Sequence, residues 1–332
     1  MIKIGIAGFG KIGNLRYEIL KNHPHFEVIA VLEKNKNTNV PYNVKRVSTF
    51  SELINLDIDA VFICAFNDVL ADYTIQAIEK KIHVFCEKPP ARNVKELLKV
   101  KNVFERSNVT LKYGFNHRYH YSVKEANRII KEGSFGKLLS FRGVYGKAGS
   151  IDYDKNWRNY KEISGGGIVI DQGIHMLDLI RFLSKQEYDV KYAMIKTLFW
   201  NIDSEDNAFI VMEGNNGAVG SVHSSATQWR HKFLLELTFE NGYINLDGIL
   251  SGTRSYAPES LRYGLREFED ITWAMGKPQE HVIWFENDDS WKLEIEEFYK
   301  SIIGESEIKN GTIDDAVKTL SLVEAVYKNQ IK

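Results

Sequence analysis

Residues 1–13 read MIKIGIAGFGKIG, and the spacing of Gly8, Gly10 and Gly13 within them decides the fold. A G-x-G-x-x-G run alone is weak evidence, because a tight strand-to-helix turn with no ligand uses the same residues. The context here is fuller. The glycines follow an apolar, β-branched run at 2–6 and open a helical pattern at 11–22, and a second apolar run leads to Glu33, twenty residues beyond Gly13. An acidic residue at that distance is where a dinucleotide-binding βαβ unit hydrogen-bonds the adenosine ribose. Gly8 would permit the turn, Gly10 the close approach of a pyrophosphate and Gly13 the packing of helix on strand, with the first N–H groups of the helix as donors. Phe9, Lys11 and Ile12 belong to the same expected contact. Glu33 repels a 2'-phosphate and so favours NAD, whereas Lys34 and Lys36 could neutralise one, which keeps NADP in play.

Outward from this loop, runs at 28–32, 60–65, 83–86 and 109–115 are apolar on both faces and alternate with helical segments at 69–80 and 94–106. That alternation predicts a doubly wound parallel sheet covered on both sides, over residues 1–119. After a helical connector at 122–132 the pattern changes to alternating strands, with Asn216-Gly217 and Asn241-Gly242 marking two hairpins. The second domain, 120–332, is therefore expected to be α+β with an open-faced, mostly antiparallel sheet. Helices are expected at 168–183, 291–303 and 313–328, the last of these packing back on the first domain.

The chain has 332 residues, 44% hydrophobic and 26% charged, with 43 basic and 44 acidic side chains. This is a two-domain length and a globular composition, with no basic excess to suggest nucleic acid as a partner. The longest apolar stretch near the middle, 60–66, is too short to span a bilayer, and Met1 leads into a strand rather than a signal peptide. Cys64 and Cys86 sit inside apolar runs and read as buried thiols of a cytoplasmic protein.

Three further segments carry a resemblance: HVFCEKPPA at 83–91, GFNHRY at 114–119 and SGGGIVIDQGIHMLDLIRFL at 164–183. In this order behind the glycine loop they resemble the Gfo/Idh/MocA family of glucose-fructose oxidoreductase and inositol dehydrogenase relatives. The resemblance implies an N-terminal Rossmann domain, an open-faced sheet domain and NAD(P)-dependent chemistry on a sugar, cyclitol or nucleotide sugar. It also implies a homodimer or homotetramer formed through the C-terminal sheet. Cofactor contacts are expected from the glycine loop, Glu33, Ala65, Asn67, Glu87, Lys88 and Asn116. One departure stands out: where the family often has Thr-Pro-Asn with a His three residues on, this chain has Ala65, Phe66, Asn67 and then Leu70. Two other readings stay open, a reductase of a non-sugar substrate, as in the biliverdin reductase-like branch, and a dinucleotide-sensing regulator without turnover.

Oxidising a secondary alcohol requires loss of the hydroxyl proton as hydride leaves carbon. Lys88 closes a parallel strand, at the edge where ligands of such sheets bind, and can aim an ammonium at the reacting oxygen. Asp171 and His175 lie four apart behind Gly165-Gly166-Gly167 and should share a helix face. A neutral imidazole suits proton removal near neutral pH, so His175 is taken as general base, with Lys88 the alternative, while Asp171 orients the imidazole or binds a neighbouring hydroxyl. The Asp-x-x-x-His spacing would also suit a metal, but the local motif has no third ligand and a lysine lies near, so no metal is expected. Arg118, Tyr145, Trp157 and Arg158 are weaker substrate candidates, and Asp178 reads as a helix-face residue. The loops 146–161 and 254–279 are expected to line the pocket.

Overall fold

The computed structural model describes residues 1–267 and 279–331; of the expected pocket loop 254–279, residues 268–278 lie outside the described residues. The chain divides into two compact units, one made of 1–116, 162–165 and 291–320, the other of 117–161, 166–290 and 321–332.

The first unit is built on a parallel sheet of β1 (Ile2–Ala7), β2 (Phe26–Leu32), β3 (Lys45–Val47), β4 (Ala60–Ile63), β5 (His83–Cys86) and β6 (Leu111–Tyr113). Their order is β3-β2-β1-β4-β5-β6 and every pairing is parallel. Helices α1 (Lys11–Leu20), α2 (Phe50–Ile54), α3 (Asn67–Glu79) and α4 (Val94–Phe104) make the crossovers. The central strands are mostly apolar because both faces are covered: all four residues of β4 are apolar and buried. Ile4, Ile6, Phe62 and Phe85 form one core with Ile295 and Phe298 from a helix late in the chain. The strand order reverses direction between β1 and β4, which opens a crevice at their carboxyl ends. β3 and α2 are additions to the sequence reading.

The second unit carries α5 (Tyr121–Lys131), β7 (Leu138–Gly146) and, after a short helix α6 (Lys161–Ser164) whose last three residues belong to the first unit, a π-helical turn at Val169–Gly173 that runs into α7 (Ile174–Ser184). The expected single helix over 168–183 thus begins with a wider turn. Seven further strands follow: β8 (Tyr188–Lys196), β9 (Asn207–Gly214), β10 (Val219–Ser225), β11 (Lys232–Phe239), β12 (Gly242–Asp247), β13 (Glu259–Leu265) and β14 (His281–Phe285). With β7 they form an eight-stranded sheet, ordered β14-β13-β12-β11-β7-β10-β9-β8, in which among the described residues only the β7–β10 pair is parallel. Alternate residues such as Ile210, Met212, Leu235 and Leu246 are buried on one face, while Tyr192, Met194, Phe209 and Val211 are exposed on the other. Helices α8 (Ser290–Ile302) and α9 (Ile313–Lys328) close the chain.

Candidate active site

The carboxyl ends of the parallel strands gather the expected cofactor residues of the first unit. After β1, Gly8 has φ +94°, and a side chain there would strike the Cys64 carbonyl at 2.5 Å; at Gly13 one would strike the Gly8 carbonyl at 2.0 Å. The protein itself demands these two glycines. Gly10 differs: a Cβ there would meet nothing within 4 Å. Gly10 also stands at the N-cap of α1, with no side-chain cap and no acidic residue in the first turn. An open cradle before uncapped N–H donors fits the pyrophosphate of a dinucleotide. Asn14, which the sequence reading did not single out, braces the loop by donating from its side chain to the Phe9 and Gly10 carbonyls at 2.6 and 3.0 Å. Its i,i+4 spacing to Gly10 is the only signal the sequence offered.

Glu33 follows β2, half-buried, and accepts the Asn35 N–H at 2.7 Å, while Lys34 and Lys36 are exposed. Ala65 and Asn67 follow β4. Asn67 is buried and donates to the Ser164 carbonyl at 2.8 Å, and the neighbouring Phe66, the departure from the family pattern, is 50% exposed. Asn116, after β6, is buried at the start of a 3-10 turn, Asn116–Tyr119.

Glu87 and Lys88 close β5. Lys88 is half-buried. Glu87 is buried and its carboxylate grips Arg16 of α1, whose Nε donates to it at 2.7 Å. Arg16 is wholly buried between the rings of Phe85 and Trp291, each 4.4 Å from its guanidinium carbon, and also pairs with Glu294 at 2.6 Å. Two carboxylates thus share one guanidinium in a dry site. Burial, with Glu87 as a second negative neighbour, pushes the Glu294 carboxyl up to about 7 despite Arg16. Burial likewise raises Cys86 to about 12 and Cys64 well above the ordinary thiol value, and both are free thiols, Cys64 partly and Cys86 fully buried.

In the second unit, His175 lies in the first turn of α7, buried, its ring stacked on that of His117 at 3.8 Å and 16°. His117 Nε2 is 3.0 Å from the Tyr145 hydroxyl. The Tyr145 phenol is buried and held protonated, first by burial and then by the nearby Tyr256 and Asp171. Asp171, in the π turn, pairs with Lys147 at 2.6 Å and with Arg158 at 3.4 Å. Two cations on one carboxylate suit hydroxyl binding and disfavour a metal ion there; among the described residues no group of three or more His, Cys, Asp or Glu could hold one. Arg158 covers the Trp157 ring at 4.5 Å. Arg118 is buried and directs two donors at Asp178, at 2.8 and 2.6 Å, so this pair fastens the 3-10 turn to α7. Glu205, also absent from the sequence reading, accepts the Gly167 and Val169 N–H groups and the Tyr327 hydroxyl and so caps the π turn.

A doubly wound domain with a glycine cradle, joined to an open-faced sheet domain that carries buried histidines, defines a dinucleotide-dependent oxidoreductase architecture. Two family models match in tandem: the oxidoreductase family with an NAD-binding Rossmann fold over residues 2–115, and the GFO/IDH/MocA C-terminal domain over 123–245. The chain belongs to the Gfo/Idh/MocA family. Among curated relatives it is 28% identical over 236 residues to an uncharacterized oxidoreductase, YrbE, of Bacillus subtilis, covering 68% of this chain and 67% of the relative. It is 31% identical over 209 residues to the levoglucosan dehydrogenase of Pseudarthrobacter phenanthrenivorans, covering 55% and 53%, and so spans about half of that relative. With the myo-inositol 2-dehydrogenase of Thermotoga maritima it shares 27% identity over 237 residues, 68% of each chain. The fold matches a levoglucosan dehydrogenase solved with NADH and levoglucosan at TM-score 0.83 and 21% identity, over 99% of this chain and 96% of that one. It also matches the WlbA dehydrogenase of Bordetella pertussis, solved with NADH and UDP-GlcNAcA, at 0.81 and 18%, over 99% and 96%.

Proposed function

We propose that the chain is an NAD-dependent dehydrogenase, able to use NADP, that oxidises a secondary alcohol of a sugar, cyclitol or nucleotide sugar, or reduces the matching ketone. The open cradle at Gly10 carries this reading, because nothing in the protein requires a glycine there. The cofactor would be held by the glycine loop, Glu33, Ala65, Asn67, Glu87, Lys88 and Asn116, and when bound it supplies the hydride acceptor. His175 takes the hydroxyl proton, leaving the carbonyl as the C–H electrons depart. Lys88 donates to the same oxygen and stabilises its developing charge. Asp171, held between Lys147 and Arg158, accepts from a neighbouring substrate hydroxyl, and Tyr145, Trp157 and Arg158 line the substrate. Arg118 acts through Asp178 as a positioning residue. The enzyme works in the cytoplasm as a homodimer or homotetramer formed through the exposed face of the second sheet. Among the described residues no helix is long and apolar enough to cross a membrane.

The test is the absorbance of reduced nicotinamide, with cofactor-stripped protein given NAD or NADP and a panel of cyclitols, free sugars and nucleotide sugars. Turnover on one class is expected. Lys88→Ala and His175→Ala should each lower turnover by at least about a hundredfold with NAD affinity retained, the size of an acid-base contribution. Tight NAD binding without turnover on any panel member would favour the regulator reading.

A further inference from the structure

We propose that His117 is a positioning residue that carries the first proton taken up by the His117–His175 stack, and thereby keeps His175 in its neutral, proton-accepting form. The assignment of His175 as base rests on the function proposed above; the geometry of the stack does not.

Two nearly parallel imidazoles 3.8 Å apart cannot both become cations cheaply, because like charges at that distance repel strongly in a buried site. The pair therefore takes up protons in two separated steps. Which ring takes the first proton is set by its neighbours. His117 Nε2 faces the Tyr145 hydroxyl at 3.0 Å, and a hydroxyl serves both states of the ring. It donates to the neutral nitrogen and accepts from the protonated one. Tyr145 stays protonated throughout, since burial holds its phenol well above the ordinary value. Among the described residues of this unit, the charged groups beside the stack and its neighbours include Asp171 with Lys147 and Arg158, Arg118 with Asp178, and His120 with Glu259, whose Oε2 is 3.0 Å from His120 Nδ1, and with Asp288 at 4.0 Å. Asp171, four residues before His175, is engaged by two cations, so its charge is met by Lys147 and Arg158 rather than by an imidazolium on α7. The Phe233 ring also lies near His117, tilted by 55° with 6.2 Å between centroids. A proton entering the cluster thus has a prepared acceptor in His117 and a discouraging one in His175.

The experiment is a titration of the imidazoles in 15N-labelled full-length protein, read from long-range proton–nitrogen spectra. In the wild type the His175 midpoint should lie about one unit below the ordinary histidine value of about 6.5, with His117 titrating first. In His117→Phe, which keeps a flat ring without a charge, the His175 midpoint should rise by about one unit, a tenfold gain in proton affinity. His117→Gln provides the same reading if the larger ring disturbs packing. Tyr145→Phe should lower the His117 midpoint and raise that of His175. A His175 midpoint unmoved in both His117 variants, or a wild type in which His175 takes the first proton, overturns the proposal. If a substrate is turned over, the acid limb of the kcat/KM profile should move to higher pH in His117→Phe by the same amount. If none is, the dehydrogenase reading fails on its own while the titration still decides the role of His117.

Discussion

Gly10 and Gly13 belong to one motif, yet the structure separates their reasons. A methyl at Gly13 would meet the Gly8 carbonyl at 2.0 Å, whereas at Gly10 it meets open space. Gly13→Ala should therefore cost folding, and Gly10→Ala should leave the melting temperature unchanged while weakening NAD at least about tenfold, or ~1.4 kcal/mol. Thermal melts beside cofactor titrations separate the two, and a Gly10→Ala variant with full affinity would refute the cradle. Glu33→Ala should weaken NAD more than NADP; equal losses would remove its ribose role. The pairing of Arg16 with Glu87 and Glu294 lay beyond reach of the sequence, because nothing local marks an arginine in a helix as the partner of two distant carboxylates. Arg16→Met strands both, and loss of one partner from a buried ion cluster costs about 3–5 kcal/mol. The pH dependence has a definite sign. Glu294 binds its proton more tightly folded than unfolded, its carboxyl being raised from 4.5 to about 7, so its contribution to stability is present below 4.5 and is lost as pH rises to about 7. Glu294→Gln should flatten that part of the urea-denaturation profile, and an unchanged slope would place the proton elsewhere.

At the scale of elements, period and turn chemistry made most of the first unit readable: β5, α9 and the starts of α1 and α4 stand where the pattern put them. α2 was not expected: Thr49 and Glu52 form a capping box whose two side chains serve each other's backbone, but its five residues carry too little periodicity to stand out. β3 is three residues long at the sheet edge, with Lys45 and Arg46 in it, and leaves no strand signature. The first hairpin turns on Gly217 at φ +87°, as Asn-Gly implies. The second is offset by one: Glu240 and Asn241 make the loop and Gly242 opens β12, where a side chain would strike the Gly264 carbonyl at 2.3 Å. Cross-strand contact overrode the turn preference there. The π turn ahead of α7 was invisible because its cause is remote. Glu205, 38 residues from Gly167, binds the N–H groups that such a turn leaves free. Burial pushes its carboxyl up although the Tyr327 hydroxyl and three N–H groups, its own and those of Val169 and Gly167, pull it down. Glu205→Ala should orphan those donors at about 1–3 kcal/mol apiece and lower turnover through displacement of His175. Chemical denaturation measures the first effect, and a wild-type stability would show that water caps the turn equally well.

For the whole molecule, patterning conveyed two architectures and expected only the last helix on the first domain, not the return from residue 291, because that return depends on Ile295 and Phe298 finding the core of β1, β4 and β5. An amphipathic helix announces that it has a buried face, never which surface buries it. The same reasoning applies to the second sheet. Helices cover one face, and the other presents Tyr192, Met194, Phe209 and Val211, with Met194 opposite Phe209 and Tyr192 opposite Val211 across β8 and β9. Four neighbouring apolar side chains on adjoining strands make a contiguous patch of the kind that monomers seldom leave in water. A second copy of the same sheet would cover it. Met194→Asp with Phe209→Asp places charges in the middle of that patch without touching the helix-covered core. By light scattering the wild type should have the mass of a dimer or tetramer, and the double variant should fall toward the monomer while keeping its secondary structure. A wild type that is already monomeric would leave this face for another partner, and an oligomer indifferent to both charges would mean that the subunits meet elsewhere.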